Sequence, residues 1–218
     1  MGDTFVNGES ITEVLTNTTN TTVNVTYSFS VSATGCTNPV VQTISVTVNP
    51  VPTFLVANSS TSICSGSRAN ISFSSTVLGA QIRLKSINYG AATGTLLPGA
   101  LFTNGQSITN FLFNNSNSPT TVVFEFEGFV GTCLNGTPQT ASVIVNPNPT
   151  FAVVPSATTV CSGSPVNLQF SSPTSGHQIN LVGVNYGLIS GGALIAGTSV
   201  FFDGNSVNET LVNNTNTQ

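Results

Sequence analysis

Apolar and polar residues alternate along most of this chain. Between residues 23 and 31 apolar side chains occupy every second position, with Asn, Thr or Ser between them. The alternation recurs at 122–127, where Glu125 and Glu127 share the polar face, and at 42–48 in "QTISVTV". A period of two residues is typical of a half-buried antiparallel strand. No segment of ten residues or more has a helical period, so the pattern predicts an all-β protein.

Tight turns are predicted at three places where this alternation is interrupted. "NG" occurs at 7–8 and 104–105, and "DG" occurs at 203–204, each just before a predicted strand. Asn-Gly and Asp-Gly favour the backbone conformations that close β-turns. We therefore expect the same turn at all three places.

The turns belong to an internal repeat with a period of about 97 residues. "VNPVPTF" at 48–54 returns as "VNPNPTF" at 145–151, and "QIRLKSINYG" at 81–90 returns as "QINLVGVNYG" at 178–187. The alignment divides the chain into three regions. They are the C-terminal half of a repeat (1–49), a complete repeat (50–147) and the N-terminal part of a third (148–218). We expect the chain to be a window on a longer array, in which proline ends the last strand of each repeat and stiffens a short linker.

Seven strands are predicted in the complete repeat. In order, they are A near 53–57, B at 69–75, C at 81–89, a weak D near 95–102, E at 107–114, F at 121–129 and G at 139–146. Seven short strands in about 97 residues are typical of an immunoglobulin-like sandwich of two antiparallel sheets. The predicted fold class is therefore all-β, with tandem immunoglobulin-like sandwich repeats.

Composition excludes several classes of function. Charged residues make up 5% of the chain, the net charge is −4, and the three cations are Arg68, Arg83 and Lys85. Nucleic-acid binding needs a basic face, so we do not expect it. No apolar run reaches the roughly 18 residues that span a bilayer, so membrane insertion is not expected either.

Candidate catalytic chemistry is sparse. His177 is the single histidine and is interpreted as a solvent-exposed loop residue, and Glu125 and Glu127 as solvated strand residues. There is no nucleophile constellation, zinc spacing or phosphate loop. We therefore expect no enzyme activity, no metal and no cofactor. Nine Asn-x-Ser/Thr motifs are interpreted mainly as a consequence of a composition rich in Asn, Ser and Thr, and they begin at Asn17, Asn20, Asn24, Asn58, Asn70, Asn114, Asn135, Asn208 and Asn213.

Four recurring blocks carry a resemblance to a known family. They are "CSGS", an Asn-x-x-Phe strand, the Asn/Asp-Gly turn with its strand, and "QTISVTVNPVP". Together they resemble the PKD-like and immunoglobulin-like repeats of giant Bacteroidota surface adhesins, of the SprB gliding-motility type. The resemblance implies a secreted, filamentous, cell-surface adhesin exported by the type IX system.

Cysteines recur once near the start and once near the end of each repeat, at Cys36, Cys64, Cys133 and Cys161. Cys64 is predicted in the A–B turn and Cys133 in the F–G turn, at opposite poles roughly 25–30 Å apart, whereas a disulfide needs Cα atoms within about 7 Å. Our hypothesis is a disulfide between adjacent repeats. A Cys64–Cys133 pair, with a kinked strand A reaching strand G, and free thiols are the alternatives. Either disulfide implies an oxidising compartment.

Phenylalanines provide the candidate contact residues. Phe111 and Phe113 fall on the face of strand E opposite Ile108. They are either core residues or an outward aromatic patch that contacts a sugar or another surface.

The sequence predicts a structural stalk repeat of a long extracellular adhesin used in surface attachment and gliding. The alternatives are a self-assembling fibre or sheath and a glycan-binding module. The expected partners are neighbouring repeats of the same chain, laterally associated copies and surface glycans.

Overall fold

The structure of the protein, a computed structural model, describes residues 4–215. All regular elements in this range are β-strands joined by turns, as the alternation predicts. Within the described residues, no helix has the length and apolar character needed to cross a membrane.

In the first region, the described residues 4–49 contain four strands. They are β1 (Val23–Phe29), β2 (Ser32–Ala33), β3 (Cys36–Thr37) and β4 (Gln42–Val48). β1 and β4 pair in an antiparallel register that sets Val23 opposite Val48. β2 and β3 form the hairpin that connects them.

The complete repeat contains twelve strands, several of them short. They are β5 (Leu55–Asn58), β6 (Ser62–Cys64), β7 (Ser67–Arg68), β8 (Ile71–Ser74), β9 (Gln81–Asn88), β10 (Ala92–Thr93), β11 (Leu101–Thr103), β12 (Ser107–Ile108), β13 (Phe111–Asn114), β14 (Thr120–Val130), β15 (Cys133–Leu134) and β16 (Gln139–Asn146).

Two layers form in the complete repeat. One is a sheet of order β11-β9-β14-β16-β6, and the other contains β5, β8 and β12, extended by β7, β13 and β10. Strand A is split between the layers, because β5 pairs with β8 while β6 runs parallel to β16. The immunoglobulin-like sandwich is therefore confirmed. Predicted strand D forms a regular strand only at its end, in β11.

The core of the complete repeat lies between these layers. Inward residues of β14 and β16 are fully buried, among them Phe124, Phe126 and Val143. Phe73 from the facing layer packs edge-on against Phe126, with ring centroids 4.9 Å apart. Burying each such side chain stabilises the folded state by about 1.5–3 kcal/mol. The apolar residues of the alternating pattern therefore contribute directly to the stability of the sandwich.

In the third region, the structure describes seven strands between residues 148 and 215. They are β17 (Ala152–Pro155), β18 (Pro165–Ser171), β19 (Ile179–Asn180), β20 (Ile189–Ser190), β21 (Val200–Phe201), β22 (Ser206–Thr210) and β23 (Val212–Asn213). β18 lies between β17 and β22. Phe170, Ile179 and Phe201 form a small core, and the rings of Phe170 and Phe201 stack with centroids 4.2 Å apart.

The three predicted turns have one geometry. Gly8, Gly105 and Gly204 have φ angles of +92°, +82° and +76°, values that favour glycine. Each turn is closed by a backbone hydrogen bond, such as that from the Gln106 N–H to the Thr103 carbonyl at 3.1 Å.

Candidate functional site

Each junction between neighbouring repeats is bridged by a backbone hydrogen bond. The Leu78 N–H, in the loop between β8 and β9, donates to the Asn20 carbonyl of the first region at 2.9 Å. The Ser175 N–H of the third region donates to the Asn117 carbonyl of the complete repeat at 2.8 Å. Both partners shift by 97 residues from one junction to the other. The same contact is therefore built twice.

The donor loop at the first junction is a tight turn. Residues Val77–Ala80 are closed by a bond from the Ala80 N–H to the Val77 carbonyl at 3.2 Å, and Gly79 has a φ of +76°. A positive φ at the third position is typical of a type II turn, which leaves the N–H of the second residue directed outward. That N–H belongs to Leu78. Val77 and Ala80 are themselves buried in a small cluster with Val130.

The linker packs closely at the first junction. Pro50 and Pro52 are fully buried. Asn49 lies against the hairpin that follows β14, because a Cβ placed on Gly131 would be 3.0 Å from the Asn49 Nδ2 atom. The linker that contains Pro50 and Pro52 is therefore a packed part of the junction.

Side-chain hydroxyls hold the corresponding linker at the second junction. The Thr150 N–H donates to Thr174 Oγ1 at 3.1 Å, and Ser172 Oγ donates to the Thr150 carbonyl at 2.6 Å. Ser172 and Thr174 are both buried. The first junction has the equivalent bond, from Ser75 Oγ to the Thr53 carbonyl at 2.6 Å, so the two junctions share this contact and differ at Thr174, where the first has Val77.

His177 lies at the second junction and differs from its prediction as a solvent-exposed loop residue. Its ring is half-buried, and Nδ1 donates to the Thr174 carbonyl at 2.7 Å, since a carbonyl only accepts. Nε2 is buried without a hydrogen-bond partner among the described residues. The equivalent of His177 in the complete repeat, Ala80, is buried, so this loop is at least partly packed at both positions.

An asparagine shapes each acceptor loop, and the sequence alone does not indicate its role. Asn114 is 3% exposed. Its Nδ2 donates to the carbonyls of Ser118 at 2.8 Å and Val145 at 2.7 Å. Its Oδ1 accepts from the N–H of Ser116 at 2.9 Å and from the Ser116 hydroxyl at 2.7 Å. These bonds tie the end of β13 to β16 and fix the loop that presents the Asn117 carbonyl.

The same asparagine motif occurs in all three regions. Asn17 donates to the carbonyls of Thr21 and Val48, at 2.7 and 2.8 Å. Asn213 accepts from the Thr215 N–H at 2.9 Å. These positions follow the repeat, with spacings of 97 and 99 residues. Three of the Asn-x-Ser/Thr motifs are therefore structural, and their periodic spacing is the signal that identifies them.

Phe111 and Phe113 point outward from β13. They are 44% and 47% exposed, with ring centroids 6.4 Å apart. The Arg68 guanidinium lies 4.4 Å from the centre of the Phe111 ring, within the range of a cation–π contact. The three residues form one exposed surface of the complete repeat, which we call the aromatic patch.

The cysteines are not disulfide-bonded in the structure. Cys36, Cys64 and Cys161 are exposed and Cys133 is half-buried. β6 does carry Cys64 to strand G, as the alternative required, but it pairs Cys64 with Asn146 at the far end of β16.

This register separates Cys64 from Cys133 along the sheet. Cys133 pairs with Val130, beyond the other end of β16. About eleven residue steps separate the two positions along the sheet, or roughly 36 Å at 3.3 Å per residue. The geometry opposes a bond within one repeat, and the disulfide between repeats remains a prediction.

The outward glutamates of β14 are paired instead of merely solvated. Glu125 is 2.9 Å from the Lys85 ammonium and accepts from the Ser86 hydroxyl at 2.8 Å. The hydrogen bond from Lys85 lowers the pKa of Glu125, and the same contact raises the pKa of Lys85. Glu127 lies 2.6 Å from Arg83. These pairs cross from β14 to β9 on the outer face of the sheet.

The third region holds a more enclosed carboxylate. Glu209 accepts from the Tyr186 hydroxyl at 2.7 Å and from the N–H groups of Ala193 and Leu194 at 2.6 and 3.0 Å. Burial acts to raise the pKa of Glu209, but the three hydrogen bonds together outweigh it and the pKa is lowered. Among the described residues, no group of three or more His, Cys, Asp or Glu side chains is arranged to hold a metal ion.

Comparison with protein families finds a match within the central part of the chain. Residues 61–149 match the PKD-like domain family. PKD-like domains are typically structural modules without enzymatic activity. A search of curated proteins finds no match.

Solved structures give distant similarities. One is the Escherichia coli adhesin FdeC, with 13% identity and a TM-score of 0.42, over 78% of this chain and 60% of the other. The chain thus covers less than two thirds of the FdeC structure. Another is the YadV chaperone, with 8% identity and a TM-score of 0.30, over 76% of this chain and 87% of the other.

Proposed function

We propose that this chain is a run of stalk repeats from a long, filamentous cell-surface adhesin that serves in attachment and gliding. Its repeats are residues 1–49, 50–147 and 148–218, and they act as spacers without catalytic activity. The observation that carries the proposal is the bridging hydrogen bond, built once at Leu78 and again at Ser175. Because this contact recurs with the period of the sequence, it joins each repeat to the preceding one in the same way.

The shape of the repeat suits a spacer. β14 contains eleven residues and so spans roughly 33–36 Å. The chain enters near one end of this long axis and leaves β16 at the other, so successive repeats add length. Stacked repeats need only their neighbours for stability, and length is then set by their number.

The proposed setting is extracellular. Hydroxyl and amide side chains replace ions over most of the surface, since charged residues make up 5% of the chain. The PKD-like match supports a structural module of this type. Disulfides between adjacent repeats, if formed, require the oxidising conditions found outside the cytosol.

A variant of the bridging hydrogen bond tests the spacer function. Proline is favoured at the second position of a type II turn, so Leu78→Pro keeps the turn and removes only the N–H donor. We expect the maximum dimension measured by small-angle X-ray scattering to become more broadly distributed. Leu78→Ala retains the N–H and is the matched control. Identical scattering from all three proteins would contradict a rod held by this contact.

Movement on cells tests the gliding role. Beads carrying an antibody to residues 50–147 would be followed on live source cells. Transport of the beads along the surface supports a motor-driven adhesin. Static beads support a passive adhesin and contradict the gliding role.

A second candidate function, glycan contact, is favoured by the aromatic patch. Two exposed rings 6.4 Å apart beside a guanidinium can stack on a sugar face and bond its hydroxyls. A glycan array with the intact chain and with Phe111→Ala tests it. In the first region, Val14 occupies the position that is equivalent to Phe111. Binding that survives the substitution would exclude the patch as the site.

A further inference from the structure

The aromatic patch lies on one face of three paired strands in the complete repeat. Phe111 of β13 is directly opposite Arg68 of β7, and Phe113 is directly opposite Thr93 of β10. Residues that face each other across an antiparallel pair have their side chains on the same side of the sheet. The hydroxyl of Thr93, which is also exposed, therefore borders the two rings and the guanidinium.

A following repeat leaves this face open. In the first region, Val14 and Thr16 are the equivalents of Phe111 and Phe113, and the complete repeat follows them. Both are exposed, Val14 by 91%. The contact that a following repeat does make is with the Asn117 carbonyl, in the loop beyond β13. The exposure of the aromatic patch is therefore a property of the complete repeat itself.

Arg68 gives the aromatic patch a positive charge. Within residues 4–215, the ion pairs are made by Arg83 and Lys85 with the glutamates of β14. The Nη1 atom of Arg68 instead donates to the Thr109 carbonyl at 3.5 Å, a long contact for a hydrogen bond. Because a guanidinium has a planar fork of N–H donors, most of the donors of this exposed side chain remain free among the described residues.

Neighbouring groups hold the guanidinium and the rings in place. The Arg68 guanidinium lies over the Phe111 ring, with its central carbon 4.4 Å from the ring centre. A guanidinium that stacks on an aromatic ring keeps the donors of its edge available, and that edge can bind a carboxylate through two parallel hydrogen bonds. The Phe113 ring packs against the turn at Gly66, where an added Cβ would be 3.6 Å from a ring carbon. Little ordering is then needed when a ligand binds.

The surroundings of the patch favour a small polar ligand over a protein partner. A stable protein interface buries about 800 Å² on each side around an apolar centre. The patch has only two rings, and the neighbouring outward residues of β8 and β12 are Ser72 and Ser107. A sugar ring matches this surface, because its C–H groups pack on an aromatic ring while its hydroxyls bond to hydroxyl side chains. The charge of Arg68 adds the requirement for a carboxylate.

We propose that the aromatic patch binds an acidic sugar, a pyranose that carries a carboxylate. Arg68 binds the carboxylate, and Phe111 positions the guanidinium. Phe113, with its ring centroid 6.4 Å from that of Phe111, packs against the apolar face of the sugar, and Thr93 bonds one of the sugar hydroxyls. The proposal rests on the glycan-contact function and adds the class of sugar.

A nuclear magnetic resonance titration of the intact chain tests the charge of the sugar. The probes are short oligomers of galacturonate and of glucuronate, each compared with its methyl ester, which keeps the ring but removes the charge. We expect an acidic oligomer to bind about tenfold more tightly than its ester and to shift the Arg68 Nε–H signal. About 1 M salt should remove that difference. Equal binding of acid and ester would overturn the acidic-sugar proposal but leave the glycan function standing, whereas binding of no sugar would overturn both.

A triglutamate peptide distinguishes a sugar from a protein source of the carboxylate. It presents carboxylates without a pyranose ring to pack against Phe113, so we expect it to bind more weakly than either acidic oligomer. Binding as tight as that of the acidic sugars would assign the patch to protein carboxylates and contradict the proposal.

Substitutions that copy the third region separate binding from folding. Pro165 stands in the place of Arg68 there, and β18 still forms. Arg68→Gln should therefore fold, lose the preference for the acid and keep its affinity for the ester. Phe113→Val copies Val212 and should weaken the binding of both ligands. An equal loss of acid and ester binding in Arg68→Gln would give Arg68 a general supporting role and contradict the proposal.

Discussion

The complete repeat and the third region contain nearly the same strand C but fold it differently. "QIRLKSIN" forms the eight-residue strand β9, whereas "QINLVGVN" forms only the two residues of β19. The alternation of apolar residues is similar in both. The difference lies in the neighbour, because β14 pairs with β9 and no described strand takes that place in the third region. A strand in this fold is thus set by its partner as much as by its own residues.

The largest difference between regions is expected in the core. Phe126 is fully buried and packs on Phe73, so Phe126→Ala should destabilise the complete repeat by about 3–5 kcal/mol. Phe29 is its equivalent in the first region and is only half-buried, so Phe29→Ala should have a clearly smaller effect. Hydrogen exchange of the β14 and β1 amides measures each region separately. Equal losses would show that the first region has a closed core in solution.

A loss of stability of intermediate size is expected at the asparagine motif, which again compares the complete repeat with the first region. Asn114→Ala leaves the buried Val145 carbonyl without its donor and should cost about 2 kcal/mol. Asn17→Ala removes the same bonds at a more exposed site and should cost about 1 kcal/mol or less. Urea midpoints followed by circular dichroism provide the measurement. If Asn17→Ala were the more damaging change, burial would not explain the role of Asn114.

Acid should weaken the third region at β22, where Glu209 is held by three hydrogen bonds. The pKa of folded Glu209 is below its ordinary value of 4.5, so the ionised form is stabilised by folding. That contribution is present above pH 4.5 and is lost as the pH falls through the lowered value. Asn110 stands at the equivalent place in the complete repeat and does not titrate. Hydrogen exchange of β22 across this range should show the loss.

Glu209→Gln provides the control for that experiment. The amide keeps the shape of the carboxylate but has no charge to lose. The exchange of β22 should then no longer depend on pH beyond the intrinsic chemistry of exchange. A pH dependence that persists in Glu209→Gln would assign the effect to another group.

The smallest effect is expected at the outer ion pairs. Lys85 and Glu125 are 2.9 Å apart with side chains 45% and 29% exposed, so solvent screens most of their attraction. Glu125→Gln should lower the urea midpoint only slightly, and about 1 M salt should abolish the difference. Ser28 replaces this glutamate in the first region. A large, salt-independent loss would mean that the carboxylate has a structural role beyond the pair.

Much of the fold was predictable because the alternation is local. Predicted strands C, F and G lie within a residue of β9, β14 and β16. The turns were predictable because Asn-Gly and Asp-Gly favour one backbone geometry, which Gly105 adopts. Each of these features depends on residues that are close in the sequence.

The remaining features depend on residues that are distant in the sequence. The transfer of strand A between the layers at β6 is signalled by a single apolar residue, Ile63. The role of Asn114 depends on Val145, and the role of Leu78 on Asn20 in another repeat. In the sequence, these contacts are indicated only when positions 97 residues apart are compared one by one.

The split of strand A has a mechanical consequence. β6 runs parallel to β16, with Ser62 opposite Ile144 and a hydrogen bond from the Ser65 N–H to the Asn146 carbonyl at 2.8 Å. Tension applied at the two ends of a repeat draws β6 and β16 in opposite directions along their shared axis. The hydrogen bonds between them are then loaded in shear and share the force, instead of opening one after another. A tether built from such repeats resists extension through this pair before its core is disturbed.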